Sequence, residues 1–229
     1  AIGVSTGDAL TSGKQNVLMG QNAGGIINTG YSNTVIGTSA GQSISSGNWN
    51  TAIGMYALQN QGSSHSSTAV GYASLYAANG ANNVGIGGDS LKELSSGGSN
   101  TALGYRAGRY YGSGTSGLAT ANKCIYVGEL SRGNADSMTN EIVIGYNALG
   151  AGGSNTVTIG SNNITDVYMA QDAGATVHCA VVQEGSSIKI KENITPIESP
   201  LDKITKLRGI EFDYKENKEH SIGMIAEEV

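Results

Sequence analysis

The chain has 229 residues, and 35 of them are glycine, about 15% against an average near 7%. With one Phe and one Trp, it has too little bulky apolar material for a single broad core, so its stability must come from stacking or from other subunits. The net charge of −5 offers no basic patch, which argues against nucleic-acid binding. No apolar run approaches the roughly 20 residues that span a bilayer, so we expect no membrane insertion.

A pentapeptide that ends in glycine recurs from the first residues onward. Residues 33–37 read Asn-Thr-Val-Ile-Gly, residues 50–54 read Asn-Thr-Ala-Ile-Gly, and residues 100–104 read Asn-Thr-Ala-Leu-Gly. Successive terminal glycines are 17 residues apart in most cases, which identifies an internal repeat. Because residue 1 already lies inside a repeat, we expect sequence before it. The terminal glycines are Gly3, Gly20, Gly37, Gly54, Gly71, Gly87, Gly104, Gly128, Gly145 and Gly160.

Each repeat predicts one coil of an all-β shaft. A short aliphatic strand precedes the glycine, a second short apolar segment follows it, and a Gly/Ser/Asn-rich turn closes the unit. Glycine at this density disfavours helix, at about 1 kcal/mol per interior position relative to Ala. We therefore predict a parallel β-roll or β-helix-like stack of 17-residue repeats over residues 1–160, with small or slender side chains inside.

Several residue types have predicted roles in this stack. The glycine at each corner supplies a positive φ or lets neighbouring backbones approach closely. Repeated Asn and Thr predict ladders of side-chain hydrogen bonds between successive coils. Cys124 and Cys179 are too few for a disulfide framework, and we predict that both are small buried residues.

The pentapeptide repeats resemble the head repeats of trimeric bacterial autotransporter adhesins, and comparable repeats occur in phage tail fibres. The resemblance covers residues 1–160. It implies a left-handed parallel β-roll assembled in threes, so the partners that it implies are two further copies of this chain, in a homotrimer.

A 24-residue spacing replaces the 17-residue spacing at one point and marks an insertion at 105–123. It holds Arg106, Arg109, Tyr110 and Tyr111 before a Gly/Ser-rich loop. Tyr beside Gly and Ser is typical of recognition loops, because Tyr offers a large contact area at low entropic cost. These four residues are the candidate contacts to a host cell-surface receptor, either glycan or protein. A flexible bulge without a binding role is the alternative.

The composition changes near residue 186. Charged residues number 15 in positions 1–186 and 16 in positions 187–229, and glycine falls from 33 to 2. We expect a β-rich connector at 161–186 and a separate domain after it. The apolar spacing predicts a helix over 200–207 with Pro200 at its start, and alternation predicts a strand over 210–214. Such an α/β unit cannot close within its 43 residues, so we expect it to continue past the last residue.

Three blocks of the second segment resemble the start of the peptidase S74 intramolecular chaperone, a domain at the C-terminus of phage tail spikes, tail fibres and neck appendages. The blocks are residues 186–194, 207–214 and 220–229. The resemblance implies that the domain trimerises the fibre, drives its folding and then cuts itself off. It implies Ser186 as the catalytic nucleophile, with Ser187 as the alternative, and Lys191 as the base. The segment covers only the beginning of such a domain.

The residue types are consistent with this chemistry. A serine hydroxyl attacks only when a base takes its proton, and lysine serves as that base only when burial or a nearby cation lowers its pKa. Lys189 and Lys191 are two positions apart on a predicted strand and therefore share one face of it, so only the resemblance assigns the role of base to Lys191. The shaft has no paired carboxylates, which argues against a glycosidase there, and the chain shows no cofactor or metal motif.

These features predict a structural virion fibre, either a tail fibre or an appendage, that attaches to the host surface. The chains assemble as a homotrimer under the C-terminal chaperone, which autocleaves after Ser186. Such a fibre is produced in the host cytoplasm and meets other virion proteins on its N-terminal side. The alternative is the head of a bacterial trimeric surface adhesin, which predicts a coiled-coil stalk and a membrane anchor after residue 170.

Overall fold

The computed structural model describes residues 1–167, 195, 198–199, 208–213 and 220–223. The chain divides into two compact units, Ala1–Tyr168 and Met169–Val229. The described residues form β-strands, turns and bends without a helix. In this part of the chain there is accordingly no helix long and apolar enough to cross a membrane.

The first unit is a parallel β-solenoid. Nine strands of three residues form one sheet in chain order, and each residue pairs with the equivalent residue of the next coil, as Val35 does with Ala52. This confirms the predicted all-β parallel stack. The strands are β1 Val17–Met19, β2 Thr34–Ile36, β3 Thr51–Ile53, β4 Thr68–Val70, β5 Val84–Ile86, β6 Thr101–Leu103, β9 Ile125–Val127, β10 Ile142–Ile144 and β11 Val157–Ile159.

The longer spacing between β6 and β9 holds a β-hairpin. Strands β7 (Tyr110–Tyr111) and β8 (Ser116–Gly117) pair antiparallel outside the main sheet. Strand β6 nevertheless pairs directly with β9, through Thr101 with Ile125 and Ala102 with Tyr126. The insertion therefore leaves the register of the solenoid unbroken.

The central residue of each strand points into the coil, because side chains alternate along a strand. Val35 and Ala52 are fully buried, whereas Thr51 and Ile53 on either side of Ala52 lie on the outer face. Most interior side chains are Ala, Val, Ile or Leu, as predicted for so narrow a coil. Tyr126 is the exception: it is the central residue of β9, and it is fully buried.

The corner glycine is required for two reasons at once. Gly37 has a φ of 133°, which residues with a Cβ rarely adopt. A Cβ added there would also lie 2.6 Å from the carbonyl carbon and oxygen of Gly54, one coil further on. Both predicted roles of this glycine, the positive φ and the close approach of backbones, are therefore confirmed.

Five of the nine strands in the main sheet follow an asparagine, and these asparagines form a largely buried ladder. The side-chain amide of Asn33 donates to Oδ1 of Asn16 (3.0 Å) and to the carbonyl oxygen of Gly47 (2.8 Å). Its own Oδ1 accepts from the backbone N–H and the side-chain amide of Asn50, at 3.0 and 3.1 Å. A Cβ at Gly30 would lie 2.5 Å from that Gly47 oxygen, so glycine in the turn leaves room for the carbonyl that the ladder uses.

Two of the coils that lack this asparagine keep the ladder through other residues. Ser67 lacks the amide, and Gln61, which is fully buried at the position of Ile44 one coil earlier, donates to Oδ1 of Asn50 in its place (3.2 Å). Cys124 is buried and free, as predicted, and its thiol faces the carbonyl of Met138 at 3.4 Å.

The strand threonines do not form the predicted ladder, although Thr6 and Thr11 each donate from the hydroxyl to a backbone carbonyl of the next coil. Thr34, Thr51 and Thr68 lie on the outer face of the sheet, with half-exposed side chains. Their role is therefore to form the surface of the sheet and not to link the coil interiors.

After the corner glycine the backbone alternates between negative and positive φ. Tyr56 has φ 63° and the buried Leu58 has φ 49°. Positive φ costs a residue with a Cβ about 1–2 kcal/mol. Backbone hydrogen bonds to both neighbouring coils offset this cost, because Tyr56 N–H donates to the Thr38 carbonyl (3.0 Å) and Leu58 N–H to the Ser74 carbonyl (3.1 Å).

The described part of the second unit is an antiparallel strand pair. Strand β12 (Ile210–Asp213) pairs with β13 (His220–Gly223), and β12 coincides with the first four residues of the predicted strand. The predicted helix over 200–207, most of the connector, and Cys179 lie outside the described residues.

We expect Asn33→Ala to destabilise the solenoid by about 3 kcal/mol, because it leaves the Gly47 carbonyl and the Asn50 amide buried without their partners. Thermal and denaturant unfolding of the full chain measure the loss. Asn60→Ala is the control, since Asn60 is exposed, and it should change stability by less than about 0.5 kcal/mol. Equal effects of the two substitutions would show that the ladder contributes nothing particular.

Candidate functional site

The predicted receptor residues lie at the base of the inserted hairpin. Arg109 contacts Asp89 through Nη1 at 2.5 Å and Glu93 through Nη2 at 3.3 Å, and its guanidinium stacks on the Tyr110 ring at 4.8 Å. Only 14% of the Arg109 side chain is exposed. Arg109 therefore links neighbouring coils and has little freedom to reach a ligand.

A compact ion-pair group surrounds Asp89. Lys92 Nζ lies 3.1 Å from Asp89 Oδ1, and Arg106 Nε lies 3.7 Å from Asp89 Oδ2. Together with Arg109 and Glu93, the group holds three cations and two carboxylates, so this part of an otherwise acidic chain carries one excess positive charge.

Two of the four predicted residues line a polar cavity. Arg106 and Tyr110 face a cavity of about 380 Å³ together with Arg132 and Asn147, among others. Arg132 donates from Nε to the Gly112 carbonyl at 2.9 Å, which fastens the hairpin to the next coil. Sequence reasoning missed Arg132, although it stands four residues after Gly128, where other coils carry Gly or Leu.

Tyr111 and Arg109 are not among the residues that line this cavity. Tyr111 is partly buried and packs against the core of the solenoid. The structure thus brings Arg106 and Tyr110 together and assigns Arg109 and Tyr111 to contacts within the chain. A role of these residues in receptor binding stays a prediction.

The outer face of the main sheet carries a continuous apolar row, which we call the outer stripe. It consists of the residues directly before the corner glycines. The first residue of each strand, which lies on the same outer face, is Val, Ile or Thr. Leu103 is 48% exposed and Ile86 is 40% exposed. The outer stripe consists of Ile2, Met19, Ile36, Ile53, Val70, Ile86, Leu103, Val127, Ile144 and Ile159.

A buried acid lies inside the last coils. Glu141 occupies the ladder position before β10 and is fully buried. Its Oε2 accepts from the Tyr126 hydroxyl (3.3 Å), and its Oε1 accepts from the Asn134 backbone N–H (3.2 Å). Burial raises the pKa of the Glu141 carboxyl, and the two hydrogen bonds only partly oppose it. Burial also raises the pKa of the Tyr126 phenol, which stays a neutral donor.

The predicted catalytic pair, Ser186 and Lys191, and the alternative nucleophile Ser187 lie outside the described residues. Within the described ranges, no group of three or more His, Cys, Asp or Glu side chains could hold a metal ion.

One protein family model matches the last part of the chain. Residues 186–229 match the peptidase S74 family, described as the chaperone of endosialidase. This confirms the resemblance of that segment to the family. No curated protein and no solved structure matches the chain. The similarity of the shaft repeats to adhesin heads and tail fibres therefore stays a prediction.

We expect Glu141→Gln to stabilise the protein at neutral pH and to have little effect near pH 4. Burial raises the pKa of the Glu141 carboxyl above its ordinary 4.5 in the folded protein. The protonated carboxyl therefore contributes fully to stability below pH 4.5, and this contribution is lost as pH rises through the folded pKa. Glutamine has no such titration. Melting temperatures of both proteins between pH 4 and pH 8 measure the difference.

Glu129→Gln is the matched control, because Glu129 is exposed. It should give parallel pH profiles for variant and parent. A Glu141→Gln advantage that is the same at every pH would contradict the role of the buried charge.

Proposed function

We propose that the protein is the shaft of a trimeric virion fibre, a tail fibre or appendage, that attaches to the host surface. Its C-terminal domain assembles the three chains and then releases itself by autoproteolysis. The observation that carries this proposal is the match of residues 186–229 to the S74 chaperone family, in a chain whose preceding unit is a solenoid. Synthesis in the host cytoplasm, a place in the virion and contact with other virion proteins on the N-terminal side belong to the same proposal.

The outer stripe supports association between chains. All-parallel sheets occur almost only with both faces covered, because their strands are apolar on both sides. Here one face packs inside the coil, and the other exposes Ile53, Ile86 and Leu103 by 37–48%. An apolar face of this extent favours a partner surface over water.

The dimensions of the outer stripe favour sister chains as that partner. Ten rungs at the 4.7–4.9 Å spacing of paired strands extend for about 43 Å. A partner that fills such a stripe needs apolar rows with the same rise per rung. Another copy of the same solenoid has this repeat, and three copies can turn their stripes towards a common axis.

The repeat also explains why a chaperone is needed. Consecutive coils present nearly the same outer residues, so three chains shifted by one coil lose only one layer of contacts. Register is weakly specified under these conditions. A C-terminal domain that trimerises first fixes the three chain ends in register. Its removal then leaves a fibre that unfolds slowly, because the domain that gave the chains a low-barrier route between folded and unfolded states is gone.

The bacterial adhesin head remains the second candidate, and it shares the trimeric solenoid. It predicts a coiled-coil stalk and a membrane anchor after residue 170. The family match at residues 186–229 supports the virion fibre over it.

We expect the full-length protein to have the mass of three chains by light scattering. Ile53→Asp places charges at the centre of the outer stripe and should shift the protein to monomers or aggregates. Ile26→Asp is the control, since Ile26 is 50% exposed but lies off the stripe, and it should stay trimeric. Circular dichroism checks that both variants keep the solenoid. A monomeric parent protein would rule out the proposed assembly.

We expect the full-length gene product to appear as two pieces by intact mass spectrometry. Water adds across the peptide bond between Ser186 and Ser187, so the fibre ends in a new carboxyl at Ser186 and the released domain begins with a new amine. Ser186→Ala and Lys191→Ala should leave one uncut chain.

Two neighbouring variants sharpen this test. Lys189→Ala should be cut like the parent, because the resemblance assigns the base to Lys191, although both lysines share one face of the predicted strand. Ser187→Ala separates the two candidate nucleophiles, since loss of cleavage in this variant alone would assign the role to Ser187. An intact chain from the unmutated gene would end the autoproteolysis proposal.

A further inference from the structure

Two successive coils carry tyrosines where their predecessors carry small or polar residues. Tyr56 stands at the position of Ser39 one coil earlier, and Tyr76 stands at the position of Gln59. Tyr72 follows the corner glycine of the same coil as Tyr76 and is 50% exposed. The Tyr56 ring centroid lies 5.9 Å from that of Tyr72 and 6.5 Å from that of Tyr76, edge to face in both cases.

These rings enclose a cleft on the flank of the solenoid. Its volume is about 460 Å³, within the range of small-molecule sites. We call it the tyrosine cleft, and it is lined by Tyr56, Gln59, Tyr72, Ala73, Tyr76 and Lys92. All of these residues follow a corner glycine, so none belongs to the outer stripe.

The backbone under the cleft is held on both sides. Tyr56 N–H donates to the Thr38 carbonyl (3.0 Å), Ala73 N–H donates to the Met55 carbonyl (2.9 Å), and the Tyr76 carbonyl accepts from Asn60 (3.0 Å). Tyrosine has only two side-chain torsions to fix. The cleft is therefore largely preformed, which lowers the entropic cost of binding.

Polar groups stand at the edge of the rings. Lys92 Nζ lies 6.0 Å from the Tyr72 ring centroid and 3.1 Å from Asp89 Oδ1. Gln59 Nε2 donates to Gln42 Oε1 at 3.0 Å, and the Gln59 side-chain carbonyl oxygen can accept from a ligand. The tyrosine hydroxyls add groups that both donate and accept. The excess positive charge around Asp89 adjoins the cleft through Lys92.

We propose that the tyrosine cleft binds a pyranose ring of a cell-surface glycan. A pyranose presents C–H groups on its faces, which pack on aromatic rings, and hydroxyls around its edge, which need donors and acceptors. The cleft supplies both in one preformed site. Lys92 adds a donor that also suits the carboxylate of a uronic acid. This inference rests on the proposed attachment function and gives it a site and a ligand class.

The test uses the full-length assembled fibre on an array of oligosaccharides that contain neutral hexoses or uronic acids. Tyr76→Ala and Tyr72→Ala should each weaken binding about tenfold, since each removes one packing surface. Tyr146→Ala is the matched control, because Tyr146 follows a corner glycine as Tyr72 does, is 67% exposed and lies outside the cleft. Lys92→Gln should weaken binding of uronic acids more than that of neutral hexoses. Equal weakening of both would overturn the contact between Lys92 and the carboxylate.

Nitration of Tyr72 in the assembled fibre, read by mass spectrometry, provides a readout that does not depend on the variants. The bound sugar should protect Tyr72 and leave Tyr146 reactive. Protection of Tyr72 without any sugar would show that the assembly covers the cleft and would overturn the inference.

A parallel adsorption assay on host cells separates this inference from the proposed function. A fibre that adsorbs to cells equally well with and without Tyr72 and Tyr76 overturns the cleft while attachment stands. A parent fibre that adsorbs to no cells overturns attachment itself. Adsorption that falls with the cleft variants and stays with Tyr146→Ala supports both.

Discussion

Consecutive coils of this solenoid must lie close enough for main-chain hydrogen bonding along most of their contour, and the rest of the structure depends on that approach. A side chain at Gly37 or Gly30 would collide with the backbone of the next coil. The carbonyl that comes so close to Gly30, that of Gly47, is the one that accepts from Asn33. The glycine rows and the asparagine ladder are thus one arrangement, in which bare backbone on one coil makes room for a polar contact from another.

The ladder tolerates substitution where its donors and acceptors are still matched. Gln61 supplies from a different position the amide that Ser67 lacks, and the thiol of Cys124 takes part where the amide would. Glu141 is a less favourable replacement, because burial disfavours its charged carboxylate and raises its pKa. Such positions show that the coil interior selects hydrogen-bonding capacity and size before residue identity.

Near-identity between coils strengthens the stack and weakens its register. The same repeat that aligns every strand with the next also gives the outer stripe a uniform surface, on which shifted assemblies have similar contacts. A separate domain that fixes register and then leaves is a physical answer to this problem, and it accords with the family match at the C-terminal end. Recognition of a ligand, by contrast, needs residues that break the repeat, such as the tyrosines of the cleft and the inserted hairpin.

The sequence alone determined the coil period, the parallel stacking and the corner glycines, because each follows from a local pattern that recurs in successive coils. It also showed the resemblance of residues 186–229 to the S74 family. The tertiary structure decided what those coils bring together. Arg109 reaches Asp89, and Gln61 completes the ladder at Asn50, only because the stacking aligns positions many residues apart. The positive φ of Leu58 was likewise not predictable, since the propensity of leucine opposes it and only hydrogen bonds from neighbouring coils hold it.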